Sequence, residues 1–262
     1  LGDVYKRQEL GKELAEMYEC MPHYYKITNG HGQGAELLMD AEAAYLQGAW
    51  EKAAVLLERA RADAAGQENM TLCCDFLALR LALCGKGKEG YDFAAKRAAL
   101  LQKHDGVQVH LLESIAAYFY ALQGRPEQAP ELFREHKLGE VSFFGPCRPM
   151  MSLIEQQVWL AQGEYVKVIA HSEGLLRRCE AMHYGLVGLQ ARIQLAAAQL
   201  RFGQRAEARA TLAAALLDAV QDDFWVLFVE QYPALAPLLE GEDWAVCEPR
   251  PVSYTHLTLP TT

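Results

Sequence analysis

The residues of this chain that could hold a phosphate group lie together in one short glycine-rich stretch. Gly30, Gly32 and Gly34 alternate with His31 and Gln33. Glycine-rich loops bind phosphate when they follow a strand and end in Lys-Ser or Lys-Thr. This stretch follows no predicted strand and lacks that pair. We therefore expect a flexible turn that leads into a helix.

The histidine, cysteine and serine residues show no spacing that would support metal binding or nucleophilic catalysis. The sequence contains no H-E-x-x-H motif, no C-x-x-C pair and no nucleophile elbow. Its seven cysteines are odd in number and scattered over predicted helices, which favours free thiols in a reducing cytoplasm. We predict that the chain is not an enzyme and that these residues bind no metal and no cofactor.

The elements that would position a functional side chain are clearest in residues 35–65. Apolar and small residues recur at helical spacing on both sides of Gly48, which predicts two amphipathic helices joined at a left-handed glycine. Such a pair has no core of its own, so it must pack against neighbouring pairs.

The same turn recurs along the chain in one register. Five glycines, separated by 37, 39, 39 and 40 residues, each follow a predicted helix: Gly48, Gly85, Gly124, Gly163 and Gly203. A small residue stands seven positions before four of them, Gln156 being the exception, and nearly always five positions after. Small residues at these positions are what close-packed antiparallel helices need. The pattern predicts an all-α fold, a right-handed α-α superhelix of about five helical hairpins.

The predicted domain organisation follows from this register. Residues 9–34 are interpreted as the end of a preceding helical repeat, with a helix from Glu9 to Tyr18 and no regular structure from Pro22 through the glycine-rich loop. The solenoid is predicted over 35–240, with hairpins near 35–65, 69–103, 107–136, 150–178 and 183–219, a capping helix at 224–239 and a linker at 241–251. In the third hairpin Pro126 is placed in the first turn of the second helix.

Six residues form the candidate binding site. The concave side of a helical solenoid is lined by the first helix of each hairpin, and side chains three and six positions before each turn glycine, or one turn earlier, should point there. The polar and aromatic residues at these positions are Glu42, Tyr45, Asp75, Ser114, Tyr118 and Gln157. They predict a groove for a small polar ligand or a peptide. The alternative is that Tyr45 and Tyr118 only fill the seams between repeats.

Charge and hydropathy exclude two classes of partner. The formal net charge is −9, and an acidic surface repels nucleic-acid backbones and anionic lipid. No stretch approaches the ~20 consecutive apolar residues of a membrane-spanning helix. We therefore expect a cytoplasmic chain that does not bind nucleic acid directly and does not enter a membrane.

The two ends of the chain differ from the rest. The DNA sequence GATGTGTATAAGAGACAG encodes Asp3 to Gln8, and its reverse complement encodes Val252 to His256. That DNA resembles the transposon-end adaptor used to prepare sequencing libraries. Residues 1–8 and 252–262 are therefore interpreted as an artefact, and the remainder as an internal fragment of a longer protein.

The hairpins resemble tetratricopeptide repeats, with an aromatic residue just after the turn glycine at Trp50 and Tyr165. Gly87, Pro126 and Arg205 stand there in the other hairpins, and the period exceeds the usual ~34 residues.

Three stretches between residues 17 and 240 carry a narrower resemblance: MPHYYKITNGHGQGAELLMDAEAAYLQGAWEKA, ALQGRPEQAPELF and QLAAAQLRFGQRAEARATLAAAL. They are similar to the tetratricopeptide region of LuxR-family transcriptional regulators of the MalT type.

This resemblance implies a ligand-sensing role and two domains outside these residues. Such regulators carry an N-terminal ATPase domain, which would bind ATP, and a C-terminal helix-turn-helix that binds DNA. The helical region binds a small-molecule effector and takes part in self-association. No G-x-x-x-x-G-K-[ST] motif and no basic recognition helix occur in this chain.

The first hypothesis about function is thus that the chain is an effector-sensing and protein-interaction module of a bacterial ATP-dependent activator. The second is a tetratricopeptide scaffold from another protein class that binds a peptide or a partner protein.

Overall fold

The computed structural model describes residues 10–85, 90–103, 106–141 and 145–240, which form thirteen α-helices joined by short turns. No strand occurs in those ranges, and this confirms the predicted all-α class. The ends at 1–8 and 252–262 and the linker at 241–251 lie outside the described residues.

The chain divides into two compact units. The first extends to Ile115 and includes Gln221–Val226, and the second contains Ala116–Val220 and the residues from Leu227 onward. Helices of the first unit are α1 (Leu10–Ile27), α2 (Ala35–Leu46), α3 (Trp50–Asp63), α4 (Glu68–Leu83), α5 (Phe93–Gln102) and the first part of α6 (Gly106–Leu122). Those of the second are the end of α6, α7 (Glu131–Arg134), α8 (Arg148–Gln162), α9 (Tyr165–Ala181), α10 (Gly185–Phe202), α11 (Arg205–Val220), α12 (Val226–Glu230, whose first residue belongs to the first unit) and α13 (Tyr232–Leu239).

The five repeated glycines end helices in the left-handed conformation. Their φ angles lie between 69° and 92°, a region that glycine enters without the steric cost that a Cβ atom brings. Each donates its N–H to the carbonyl three residues earlier, as Gly48 does to Tyr45 at 2.9 Å. The turn residue and its regular spacing therefore set where each first helix stops.

Small residues lie at the contacts between paired helices. In the pair α2–α3, Ala41 and Ala53 are fully buried, and in the pair α10–α11 the same holds for Ala196 and Ala208. A methyl side chain at the crossing point lets two helix backbones approach closely. The repeated register seen in the sequence thus corresponds to helix–helix packing.

The glycine-rich turn before α2 packs against the end of α3. Gly34 has a φ of +88°, and a Cβ atom built on it would lie 2.7 Å from the carbonyl oxygen of Ala60. Two residues earlier, the N–H of Gly32 donates to the side-chain oxygen of Gln67 at 2.6 Å. As predicted, this stretch is a turn that leads into a helix, and its glycines also permit a close backbone contact.

Helix α1 is longer than the sequence analysis predicts, because it continues through Pro22 to Ile27. A proline inside a helix removes one hydrogen bond and crowds the carbonyl four residues earlier. Residues on both sides of it contact α2, since the Tyr18 hydroxyl donates to Asp40 at 3.3 Å and the Tyr25 hydroxyl donates to Glu36. Contacts with α2 hold both halves of α1 in one helix, so the expectation of irregular structure was wrong from Pro22 to Ile27 and is confirmed for the turns at 28–34.

Two further elements differ from the predicted hairpins. The second helix of the third hairpin is reduced to a 3₁₀ turn at Pro126–Gln128 and the four-residue α7. Pro130 disfavours helical backbone in the residue before it, and Ala129 is extended with ψ 143°. The predicted capping helix at 224–239 is two helices, α12 and α13, separated by Gln231, with Pro233 in the first turn of α13.

Candidate functional site

Tyr45 and Glu42 lie on α2 in the first unit, against α4. Tyr45 is fully buried, and its ring meets Trp50 edge to face with centroids 5.5 Å apart. The guanidinium of Arg80 lies 4.7 Å from the ring centroid, and the Tyr45 hydroxyl donates to the Arg80 carbonyl at 3.4 Å. Burial raises the pKa of the Glu42 carboxyl, and the charge of Arg80 opposes that rise. In this conformation Tyr45 joins α2 to the first turn of α3 and to α4.

Asp75 occupies a buried polar cluster in the same unit. One carboxylate oxygen accepts from Arg61 at 2.6 Å and the other from the Tyr91 hydroxyl at 2.8 Å. Burial, followed by the hydrogen bond to Asp75, raises the pKa of Tyr91, so this phenol stays a donor across the physiological range. Both oxygens of Asp75 are therefore used in joining α4 to α3 and to the residues before α5.

Ser114 lies on α6 and is buried. Its side chain is buried and its hydroxyl donates to the carbonyl of Leu111 at 2.7 Å, three residues earlier on the same helix. The adjacent Glu113 accepts from Arg97 at 2.9 Å. Ser114 thus uses its hydroxyl for a local backbone contact, which is a common arrangement for serine inside a helix.

Gln157 lies at the centre of a glutamine network in the second unit. Its side-chain oxygen accepts from Gln194 at 3.0 Å and from Gln231 at 2.5 Å. Gln194 also donates to the carbonyl of Leu153 at 3.3 Å. All three glutamine side chains are buried. Hydrogen-bonded amides in a low-dielectric interior hold α8, α10 and the α12–α13 junction in one arrangement.

Beside this network lies a small pocket, which we name the amide pocket. It is partly open to solvent, and its interior volume of about 10 Å³ has room for about one water molecule. Its walls are Tyr118, Gln190, Ile193, Gln194, Leu227, Glu230 and Gln231. The Tyr118 hydroxyl donates to a carboxylate oxygen of Glu230 at 3.3 Å, which connects α6 to α12 across the pocket.

The six predicted site residues therefore have different positions. Tyr118 lines the amide pocket, and Gln157 lies behind it, bonded to two of its walls. Glu42, Tyr45, Asp75 and Ser114 belong to the first unit, where each is buried or half-buried among its own neighbours. Whether any of the six contacts a ligand stays a prediction.

Six of the seven pocket residues were missed in the sequence analysis, and four of these six are polar: Gln190, Gln194, Glu230 and Gln231. A usable signal was present, since Gln190 and Gln194 are four residues apart and so share a face of α10. That face is otherwise built of apolar and small residues such as Val187, Ala191 and Ala198. Buried amides on an apolar helix face indicate a polar partner inside the fold.

Two buried cysteines of the described residues have thiols of low reactivity. Burial raises the pKa of Cys74 to about 11 and also raises that of Cys179, so both thiols are protonated and weakly nucleophilic at neutral pH. Across the described ranges, no three His, Cys, Asp or Glu side chains come together as metal ligands would. Among the same residues, no helix is both long enough and apolar enough to span a membrane.

Comparison of the chain with protein-family models, with curated proteins and with solved structures finds no match.

Proposed function

We propose that this chain is an effector-sensing and protein-interaction module of a MalT-type, LuxR-family, ATP-dependent transcriptional activator. The observation that carries the proposal is the amide pocket, a small recess with both apolar and hydrogen-bonding walls in a helical chain. Sites of small ligands combine apolar walls with a few convergent polar groups in the same way.

The repeat architecture supports the same function. Glycines with positive φ end the helices at intervals close to 39 residues, and small buried residues lie at the crossings of α2–α3 and α10–α11. In the proposed protein these pairs belong to a right-handed superhelix of tetratricopeptide-like hairpins, a fold class that binds ligands and partners on its concave side.

A sensing mechanism follows from the position of the pocket walls. Tyr118 comes from α6, Gln190 and Gln194 from α10, and Glu230 from α12. A ligand that bridges these helices stabilises one arrangement of them over others, and only such differential binding can shift a conformational equilibrium. The shifted arrangement would favour the self-associated, DNA-binding form of the full-length cytoplasmic protein.

The test of this function is the complete gene. The proposal requires an ATP-binding loop of the G-x-x-x-x-G-K-[ST] type before these repeats and a helix-turn-helix after them. A gene that joins the same repeats to neither domain would refute the regulator and favour a tetratricopeptide scaffold that binds a peptide. With the full-length protein in hand, effector-dependent oligomerisation measured by analytical ultracentrifugation in the presence of ATP provides the functional readout.

A further inference from the structure

The last two helices of the second unit lie on residues that the sequence analysis assigned to the binding groove. We name residues 227–239, which contain most of α12 and all of α13, the strap. Its Gln231 donates to the side-chain oxygen of Gln157 on α8 at 2.5 Å, and its Glu230 accepts from the Tyr118 hydroxyl on α6 at 3.3 Å. Tyr118 and Gln157 are the two predicted groove residues of this unit. Both are thus bonded to the strap.

The strap meets α6, α8 and α10 with one face of a helix. Its exposed prolines, Pro233 and Pro237, lie away from that face. The buried residues recur every three or four positions: Leu227 and Phe228, then Gln231, Leu235 and Leu238. This is the spacing with which an amphipathic peptide helix binds in the groove of another protein. The strap therefore has the sequence pattern of a peptide ligand.

The helices of the strap depend on contacts with α10 and α11. α12 has five residues and α13 has eight, and isolated helices shorter than about 12–15 residues are marginal in water. Because Pro237 has no N–H, the donor that a helix would supply to the carbonyl of Pro233, four residues earlier, is missing. Arg201 on α10 donates to that carbonyl at 3.0 Å, and Arg205 on α11 donates to the carbonyl of Pro237 at 3.1 Å. Separation from these helices would therefore unfold the strap.

The contact between the strap and the helices beneath it is incomplete at the amide pocket. The pocket lies between α6 and α10 on one side and three strap residues, Leu227, Glu230 and Gln231, on the other. Gln194 in its wall is 1% exposed, and its side-chain oxygen has no hydrogen-bond partner among the described residues. A buried acceptor without a donor is unfavourable. A segment that donated to this oxygen in place of the strap would avoid that cost.

We propose that the strap is an internal ligand of the second unit, which covers Tyr118, Gln157 and Gln194 and is displaced by a peptide partner. The partner has the chemistry of the segment that it replaces: an amphipathic helix with large aliphatic or aromatic residues at three- and four-residue intervals and an amide among them. The pocket has room for about one water molecule, so a larger group reaches Gln194 only after the strap opens. This inference rests on the proposed function, since it gives the class of partner and the step that exposes the site.

Hydrogen exchange of the whole chain tests whether the strap opens alone. The N–H groups of Ala234 and Leu235, both bonded to the carbonyl of Gln231, report on the strap. We expect them to exchange at least about tenfold faster than the amides within α10, through an opening that low concentrations of urea do not accelerate. A common rate with a common dependence on urea would show that the strap opens only when the unit unfolds, and it would overturn the proposal.

Peptide binding tests whether the uncovered surface is a binding site. The probe is a fluorescein-labelled peptide with the sequence of residues 226–240, and fluorescence anisotropy measures its affinity for the whole chain. Because the strap competes with the peptide, the apparent affinity is the intrinsic affinity multiplied by the fraction of open strap. A peptide that carries Leu235→Asp and Leu238→Asp is the matched control and should not bind, since it lacks two of the buried anchors. Equal binding of the two peptides would overturn the assignment of the site.

A variant pair connects the two measurements. Arg201→Met removes the donor to the Pro233 carbonyl, so it should raise the exchange rate of the strap and the peptide affinity by the same factor, about three- to tenfold. Arg177→Met, at an exposed arginine of α9 in the same unit, should change neither. Faster exchange without tighter peptide binding is the behaviour of a fraying cap, and it would overturn the proposal, as would absence of peptide binding to both chains. If Arg201→Met fails to fold, exchange and peptide binding of the unmodified chain still decide.

The outcome is separable from that of the proposed function. A gene without the ATPase and helix-turn-helix domains would refute the regulator, while independent opening of the strap and peptide binding would still support the internal ligand. A strap that opens only with the whole unit would refute the internal ligand and leave the test of the flanking domains unaffected.

Discussion

Replacing Gly34 by alanine tests the contact between the glycine-rich turn and α3. A Cβ atom at this position would lie 2.7 Å from the carbonyl oxygen of Ala60 and 3.4 Å from the Cβ of Asp63. The contacted oxygen belongs to the backbone of α3, so it cannot move aside as a flexible side chain would. Relief of the contact requires the start of α2 to separate from the end of α3.

The expected loss of stability has two contributions. The left-handed backbone, with φ +88°, costs an L residue about 1–2 kcal/mol. The added methyl group in a packed contact costs a further ~1–3 kcal/mol. Gly34→Ala should therefore lower the free energy of unfolding by about 2–5 kcal/mol.

Gly66 provides the matched control. Its φ is +85°, and a Cβ atom built on it meets nothing within 4 Å. Gly66→Ala should therefore show the backbone cost alone, about 1–2 kcal/mol. Both glycines belong to the first unit, so the same urea unfolding transition, followed by far-ultraviolet circular dichroism, reports both changes. Equal losses for the two variants would refute the described contact between the glycine-rich turn and α3.

Three other changes have expected outcomes that calorimetry or urea unfolding can measure. Asp75→Ala removes the acceptor of two partly buried hydrogen bonds and should cost about 2–3 kcal/mol. Glu173→Ala, in an exposed ion pair, should leave stability unchanged, and similar losses in the two variants would contradict the burial of Asp75. Burial raises the pKa of Glu155 to about 7. Between about pH 4.5 and pH 7 the native state therefore holds a proton that the unfolded state has released. The free energy of unfolding should fall by about 1–2 kcal/mol as pH rises from about 4.5 to about 8. Glu155→Gln should abolish that decline, and a decline retained in the variant would assign it to another group. Gln156 is buried with both amide atoms unpartnered, so Gln156→Met should raise stability by about 1 kcal/mol, and a loss would reveal a hydrogen bond at that amide.

The buried polar network of the second unit could be predicted only in part. Gln157 and Tyr118 each stand six positions before a turn glycine, and the sequence analysis selected them for that reason. Their partners Gln194, Gln231 and Glu230 come from positions 37, 74 and 112 residues away along the chain. Nothing in local spacing indicates which of many glutamines will meet across helices, because that depends on how the helices pack.

The differences between the predicted and the observed helices also depend on how the helices pack. Pro22 lies within α1 because Tyr18 and Tyr25, on either side of it, both bond to α2. By contrast, Pro130 keeps Ala129 extended and divides the second half of the third hairpin. A proline thus lies inside one helix and interrupts another, and contacts with a neighbouring helix decide which of the two occurs.

Sequence alone determined the helical class and, at the five repeated glycines, the places where helices end. Both depend on local chemistry: apolar residues at helical spacing form one buried face, and a glycine with positive φ terminates a helix at low steric cost. Tertiary structure decided which polar side chains are enclosed together, and so formed the pocket of Tyr118, Gln194 and Glu230. Hydrogen bonds between distant residues depend on separations of about 3 Å, and only the packing of whole helices establishes those separations.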